Sequence, residues 1–424
     1  MKILFVSAEI MAGDLAYRLK EEGNDVKLYI EHPGDYDCFE NMIEKTLDWR
    51  KEIDWVTKDG LIIFDDIGYG KEQDDLRRSG YNVFGGCEDG DRLELDREHA
   101  QKVFAGCGMS TTETLNFDNL EDAIKHIKKN KTAYAVKQND HNSSLCFIGN
   151  MSDGSDCIEL LESYKTIGKN FSVTLQKKLN GIEVGVARYF NGIDWVGPIE
   201  MNVEHKRFMN DDVGPLTGEM GTVMWYQDEE NRIFQSTLKK LKPYLQEIGY
   251  KGDVDIDCMV DQDEIYPIEA TMRLGSPAIY SQIEIHNSRW TDFLLSIAKG
   301  VPFELDYKKG FSLVITIGIP PFPYRFESIS GYLKGVPIYL KEFSKDDMSH
   351  LHFEEVRLDK NRYVVAGEEG HIVYVTSIDS NIDSAREKVY NLVSKITIPK
   401  MMYRTDIGIR FMKDYNQLKK WNWI

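Results

Sequence analysis

The stretch at 253–260, Asp-Val-Asp-Ile-Asp-Cys-Met-Val, constrains the fold more than any other part of the chain. Strand residues alternate faces, so Val254, Ile256, Cys258 and Val260 point one way and Asp253, Asp255 and Asp257 the other. A turn over 261–264 sends the chain back through 265–271, Ile-Tyr-Pro-Ile-Glu-Ala-Thr. With the hairpin centred on Asp263, Asp257 lies opposite Glu269 and Asp255 opposite Thr271. Like charges so placed destabilise a sheet, which calls for a cation between them. Oxygen donors with no His or Cys nearby suit magnesium, held by one or two carboxylates while phosphates fill its other positions. A solvated acidic strand face is the competing reading. Pro267 cannot donate to a ladder, so the returning strand is expected at a sheet edge or with a bulge.

Upstream, runs at 3–6, 26–30, 61–64 and 81–84 alternate with a helical stretch at 13–22, the order of an open α/β unit. The loop after the first strand has only one late glycine, Gly13, so a dinucleotide fingerprint is missing. Asp96 is an N-cap candidate for a helix through 105, and Leu120, Ala123, Ile124 and Ile127 mark an amphipathic helix over 118–129. Strands are expected at 134–137, 171–175 and 183–189, and helices at 233–248 and 290–299. The remainder is strand-rich, with strands at 312–319, 363–366 and 372–375 and a helix at 384–394.

Composition narrows the function classes. A chain of 424 residues holds two to four domains at roughly 100–200 residues each. The net charge of −18 repels nucleic acid and anionic membranes, and no run approaches the ~20 apolar residues of a membrane helix. Met1-Lys2 leads directly into a strand-like run with no signal-peptide core, so an intracellular protein is expected. Six cysteines without CxxC spacing are expected to be reduced thiols, mostly buried.

A second constellation is Glu204-His205-Lys206-Arg207, followed by the glycine-rich run 214–221. Its backbone amides could approach a carboxylate or phosphate, with Lys206 and Arg207 supplying charge, although a purely structural turn is an equal reading. Arg273 could stabilise a phosphorylated intermediate or form an ordinary salt bridge.

These elements, in this order, resemble the ATP-grasp superfamily and within it the glycinamide ribonucleotide synthetase (phosphoribosylamine-glycine ligase) family of purine biosynthesis. The markers span essentially the whole chain: 82–86, 93–97, 135–137, 180–183, 204–207, 214–221, 269–277 and 403–408, the last three being the more specific. The resemblance implies an α/β multi-domain protein with a Rossmann-like pre-ATP-grasp domain over 1–95. An ATP-grasp domain over 96–305 would follow, with a flexible subdomain at about 120–190, and then a C-terminal α/β lobe over 306–424. It implies a cytoplasmic ATP-dependent carbon–nitrogen ligase that works through an acyl phosphate, as a monomer or homodimer on a small-molecule carboxylate and amine.

Position by position, the resemblance implies that Arg97, Lys137, Gln176, Lys178, Leu179 and Glu183 bind ATP, with Glu183 at the ribose. Asp257, Glu269 and Thr271 would hold Mg2+ or Mn2+, and Arg273, Lys206 and Arg207 would act in catalysis. Gly214, Thr217, Gly218, Glu219, Gly221, Gly275 and Ser276 would contact the substrates.

Several positions depart from the family pattern. Its N-terminal glycine-rich signature is absent, Arg97 replaces a lysine, and the loop at 140–144 is polar rather than glycine-rich. Leu216 and Glu219 replace an asparagine and a glycine, Thr271 an asparagine, and Ser276 and Ala278 two acids. Glu219 is open to two readings, facing either the pocket or solvent. Phosphoribosylamine with glycine is the leading substrate pair. The alternatives are a divergent ligase for another amine or nucleotide precursor, and a non-catalytic ATP-binding regulator.

Overall fold

The computed structural model describes residues 1–137, 146–166, 168, 171–324 and 331–424, so the loop at 140–144 lies outside the described residues. The chain opens with strands β1 (Lys2–Ser7), β2 (Asp25–Ile30), β3 (Glu44–Lys45), β4 (Leu61–Phe64) and β5 (Val83–Phe84). They form one parallel sheet in the order β3-β2-β1-β4-β5, as the alternation of strand and helix patterns requires. The interior of β1 and all of β4 are buried, which matches their near-continuous apolar sequence.

Asp96 caps the helix Arg97–Gly106 by accepting from the His99 amide at 3.0 Å. The next unit contains β6 (Thr114–Phe117), β7 (Tyr134–Lys137), β8 (Phe147–Ile148) and β9 (Val173–Lys177), in the order β6-β9-β7-β8. The helix Leu120–Lys129 buries Leu120, Ala123, Ile124 and Ile127 in a small core of this unit, with Asn119 as its cap. Each fully buried Leu or Ile contributes roughly 1.5–3 kcal/mol, so this satellite unit rests on a few side chains.

The largest sheet begins with β10 (Ile182–Asn191) and β11 (Trp195–Glu204). A small hairpin, β12 (Arg207–Met209) and β13 (Val213–Leu216), interrupts it before β14 (Gly221–Gln227), β15 (Lys251–Val260) and β16 (Ile265–Thr271). After the helices Ala278–Ile285 and Trp290–Lys299 come β17 (Phe311–Gly318), β18 (Tyr339–Leu340), β19 (Leu351–Phe353), β20 (Val356–Asp359), β21 (Arg362–Val365) and β22 (His371–Asp379). Eight of these strands make one antiparallel sheet in the order β16-β15-β10-β11-β14-β17-β22-β19. The sheet therefore runs on past 305–306, through β17, into the C-terminal residues.

The register of the acidic hairpin matches the expectation: Asp257 pairs with Glu269, and Asp255 with Thr271. β16 is an edge strand, and its register slips between Asp257 and Cys258, next to Pro267. The acidic face is not solvated, because Asp253, Asp255 and Asp257 are only 3%, 9% and 8% exposed. Gly185 on the neighbouring β10 makes room for these polar groups, since a Cβ there would lie 2.0 Å from Asn202 Oδ1.

The six cysteines are free, with Cys38, Cys87, Cys157 and Cys258 buried and Cys107 and Cys146 partly so. Among the described residues no helix is long and apolar enough to cross a membrane.

Candidate active site

The two antiparallel sheets face each other across a cavity of about 520 Å³. One wall comes from β7, β9 and the residues after β9, which place Val136, Lys137, Gln176, Lys178 and Leu179 on the lining. The opposite wall is the acidic hairpin, with Asp255 and Asp257 from β15 and Glu269 and Thr271 from β16. Glu183 begins β10, Glu204 ends β11, and Lys206 and Arg207 follow directly. Every expected site residue lines the cavity except Gly214 and Gly221, which are taken up in the paired strands β13 and β14.

The cation called for by the acidic hairpin includes a side chain of the protein. Lys206 Nζ lies 2.7 Å from Asp257 Oδ2, 2.8 Å from Glu183 Oε1 and 3.0 Å from Glu204 Oε2. Burial alone would lower the Lys206 pKa, but these three acids outweigh it and hold the ammonium charged. Glu269 is neutralised separately, by Arg97 at 2.6 Å and Lys137 at 3.9 Å. Burial pushes Glu269 up, yet Lys137 and Arg97 bring it well below the usual carboxylate range. Burial also lowers the Lys137 pKa, with Glu269 opposing. Glu204, by contrast, is pushed up to about 8 by burial and by Asp257.

Glu183, Glu204 and Asp257 can each place one oxygen within 4.8 Å of the others, an all-oxygen donor set that fits a divalent cation such as Mg2+ or Mn2+. The grouping differs from the expected trio, because Glu269 and Thr271 lie further along the same wall with Glu269 turned to Arg97 and Lys137. Glu204 belongs to the 204–207 motif, but nothing in the local sequence marks it as a cation ligand. Its place opposite Asp257 depends on β10 lying between β11 and β15, which no local spacing reveals.

On the substrate side, Glu219 faces inward. It is 7% exposed, lines the cavity and accepts from the Thr222 hydroxyl at 2.5 Å. Burial and then Glu204 push its pKa far up, so it is neutral unless a cation approaches. Thr217 fixes the turn by donating to the Lys206 carbonyl from its amide at 2.7 Å and its hydroxyl at 2.9 Å. Arg273 is held by Glu94 at 3.1 Å and Asp66 at 3.5 Å, so it forms the salt bridge of the structural reading, and it lines the cavity. Of residues 1–95 only Met11, in the turn after β1, is on the lining, and the nearby Ala12 amide is taken by the Asp65 carboxylate at 2.9 Å. Sequence reasoning also missed Asp212, which lies between the two halves of the 204–221 constellation, and Met11 and Arg410, which reach the cavity from distant parts of the chain.

Comparison with known proteins agrees with this architecture. Residues 95–279 match the ATP-grasp (A) domain of phosphoribosylglycinamide synthetase, and residues 330–410 match its C domain. The chain belongs to the ATP-grasp superfamily. Within it, the chain resembles phosphoribosylglycinamide synthetase, also named phosphoribosylamine–glycine ligase. The ligase of that name from Helicobacter pylori is 23% identical over 358 residues, covering 80% of each chain. The crystal structure of the phosphoribosylamine–glycine ligase from Thermotoga maritima superposes with a TM-score of 0.72 at 21% identity, over 96% of this chain and 100% of that one. A biotin carboxylase from Campylobacter jejuni shares the fold at a TM-score of 0.63 and 13% identity, over 99% and 96%.

Proposed function

We propose that the chain is an ATP-dependent carboxylate–amine ligase of the phosphoribosylamine–glycine ligase type, releasing ADP and phosphate. The observation that carries this reading is the single cavity in which Lys137, Lys206 and Arg273 meet Glu183, Glu204, Asp257 and Glu269. Phosphate oxygens need the cations, and a divalent ion, which would neutralise their charge, would be held by the carboxylates.

In the mechanism, Lys137 and Arg97 contact the nucleotide phosphates while the segment from Gln176 to Leu179 receives the base and Glu183 lies toward the ribose. Glu204 and Asp257, beside Glu183, would hold Mg2+ or Mn2+, which would supply neutralisation of phosphate charge, while Glu269, turned to Arg97 and Lys137, and Thr271 lie further along the same wall. The substrate carboxylate attacks the γ-phosphorus in line, the bond to the β-phosphate oxygen breaks, and ADP leaves. The amine then attacks the carbonyl carbon of the acyl phosphate, phosphate departs, and the nitrogen gives up its proton to leave an amide. Lys206, Arg207 and Arg273 offset the charge that builds on the transferring group. Enclosure of the cavity keeps water from the labile acyl phosphate. The 214–219 turn with Gly275 and Ser276 orients the substrates.

Glycine and phosphoribosylamine are the leading pair, and the setting is a cytoplasmic monomer or homodimer. The test is ADP formation against a panel of carboxylates and amines that includes this pair, with mass spectrometry of the product. Activity that needs both partners supports the reading. ADP formation indifferent to either partner would favour a nucleotide-binding protein without ligase chemistry.

A further inference from the structure

The motif at 403–408 has no place in the mechanism above, yet it touches the catalytic segment from the other end of the chain. Arg404 is 1% exposed, and its guanidinium grips Asp406 in a fork, Nε to Oδ1 at 2.8 Å and Nη2 to Oδ2 at 2.7 Å. Its remaining nitrogen, Nη1, donates to the Arg207 carbonyl at 2.9 Å and to Asp212 Oδ1 at 2.9 Å. Arg410 donates to the Glu204 carbonyl at 3.2 Å and also pairs with Asp212. The backbone is therefore held on both sides of Lys206, at residues 204 and 207. The β12–β13 turn is tied to the same segment, the Asp211 amide to Asp406 Oδ2 at 2.9 Å and Asn210 Nδ2 to the Thr405 hydroxyl at 2.7 Å.

We propose that Arg404 is a positioning residue for the ligase reaction, setting Lys206 and Arg207 from the C-terminal lobe. The inference rests on the ligase reading. The fork onto Asp406 fixes the guanidinium plane, so Nη1 can aim at one carbonyl, a geometry a lysine cannot reproduce. Displacement of a reacting group by about 1 Å can cost about 100-fold in rate, which gives such a residue leverage without contact to substrate.

The test compares Arg404→Lys with the milder Asp406→Asn, which loosens the fork and leaves the arginine in place. For both, kcat, the KM of ATP and of the carboxylate, the melting temperature and amide exchange over 204–217 are measured. Arg404→Lys is expected to lower kcat by about 100-fold with the KM of ATP within about twofold of wild type, and Asp406→Asn to fall between the two. Exchange over 204–217 should quicken by about tenfold while β15 keeps its protection. Unchanged kcat and exchange in Arg404→Lys would overturn the proposal. So would a loss spread evenly over melting temperature, ATP KM and exchange throughout the C-terminal lobe, the signature of a merely structural clamp. If no substrate pair turns over in the wild type, the ligase reading falls, and the localised exchange result still decides whether Arg404 holds this segment.

Discussion

Replacing Lys206 by Met isolates the electrostatic core of the site. The substitution keeps most of the side-chain volume and removes one ammonium from three carboxylates at 2.7–3.0 Å. Removing one partner of a buried ion pair costs about 3–5 kcal/mol. The Lys206 and Glu183 side chains are 26% and 40% exposed, which screens the loss towards the lower end, about 3 kcal/mol. At about 2–4 °C per kcal/mol, the ATP-grasp unit should melt roughly 6–12 °C lower. The deficit should grow with pH. Glu204 already sits at about 8, and loss of the ammonium raises it further. An acid with a raised folded pKa contributes stability below its unfolded pKa and loses it as pH rises through the folded value. A divalent ion competes with the ammonium for the same oxygens, so the variant should bind Mn2+ without nucleotide more tightly than wild type does. At about 100 times Kd the ion should restore about 2.7 kcal/mol. The assay is a melting curve with and without Mn2+, paired with calorimetric titration. Equal melting temperatures and equal Mn2+ affinities in the two proteins would refute the reasoning.

Asp257→Asn should abolish ADP formation while leaving the fold intact, because it removes a carboxylate facing both Lys206 and the proposed ion. Near-normal turnover at saturating magnesium would remove Asp257 from the metal set. Glu219→Gly removes a buried carboxyl that ionises only against a cation, so preference should shift from cationic towards phosphorylated amines by about tenfold, read as kcat/KM across neutral, cationic and phosphorylated acceptors; an unchanged order would place Glu219 outside recognition. Burial raises Asp65 to about 8, Glu200 to about 8 and Asp253 to about 7. These raised values mean stability is lost as pH rises between the unfolded carboxylate range and about 8, so the metal-free melting temperature should be higher near pH 5.5 than near pH 8.5. A flat or rising profile would contradict these assignments.

The hairpin at 253–271 was legible because period-two alternation and a short turn fix both face and register locally, and Pro267 announced its own bulge. The helices Arg97–Gly106, Leu120–Lys129 and Trp290–Lys299 were legible from caps and apolar spacing. The strand β11 was not, because Gly197 and Pro198 interrupt its pattern; β13 falls in what reads as a glycine-rich loop, and β12 and β14 flank it. The stretch 233–248 reads as one helix but is two, Arg232–Ser236 and Leu238–Glu247, broken at Thr237. The partners of Lys206 were the least legible feature, since Glu183, Glu204 and Asp257 meet only through the order β15-β10-β11, set by the whole sheet. The direction of Glu219 likewise depends on its burial beneath β14 and β17, where Thr316 donates to its carbonyl at 3.1 Å.

The measurement that tests the central claim most directly is single-turnover ADP formation with glycine in the presence and absence of phosphoribosylamine, followed by mass spectrometry. The account predicts ADP and phosphate in equal amounts with an amide product joining the two substrates, and no product when either is left out. ADP released at the same rate with neither substrate present, and no amide from any carboxylate–amine pair, would contradict it.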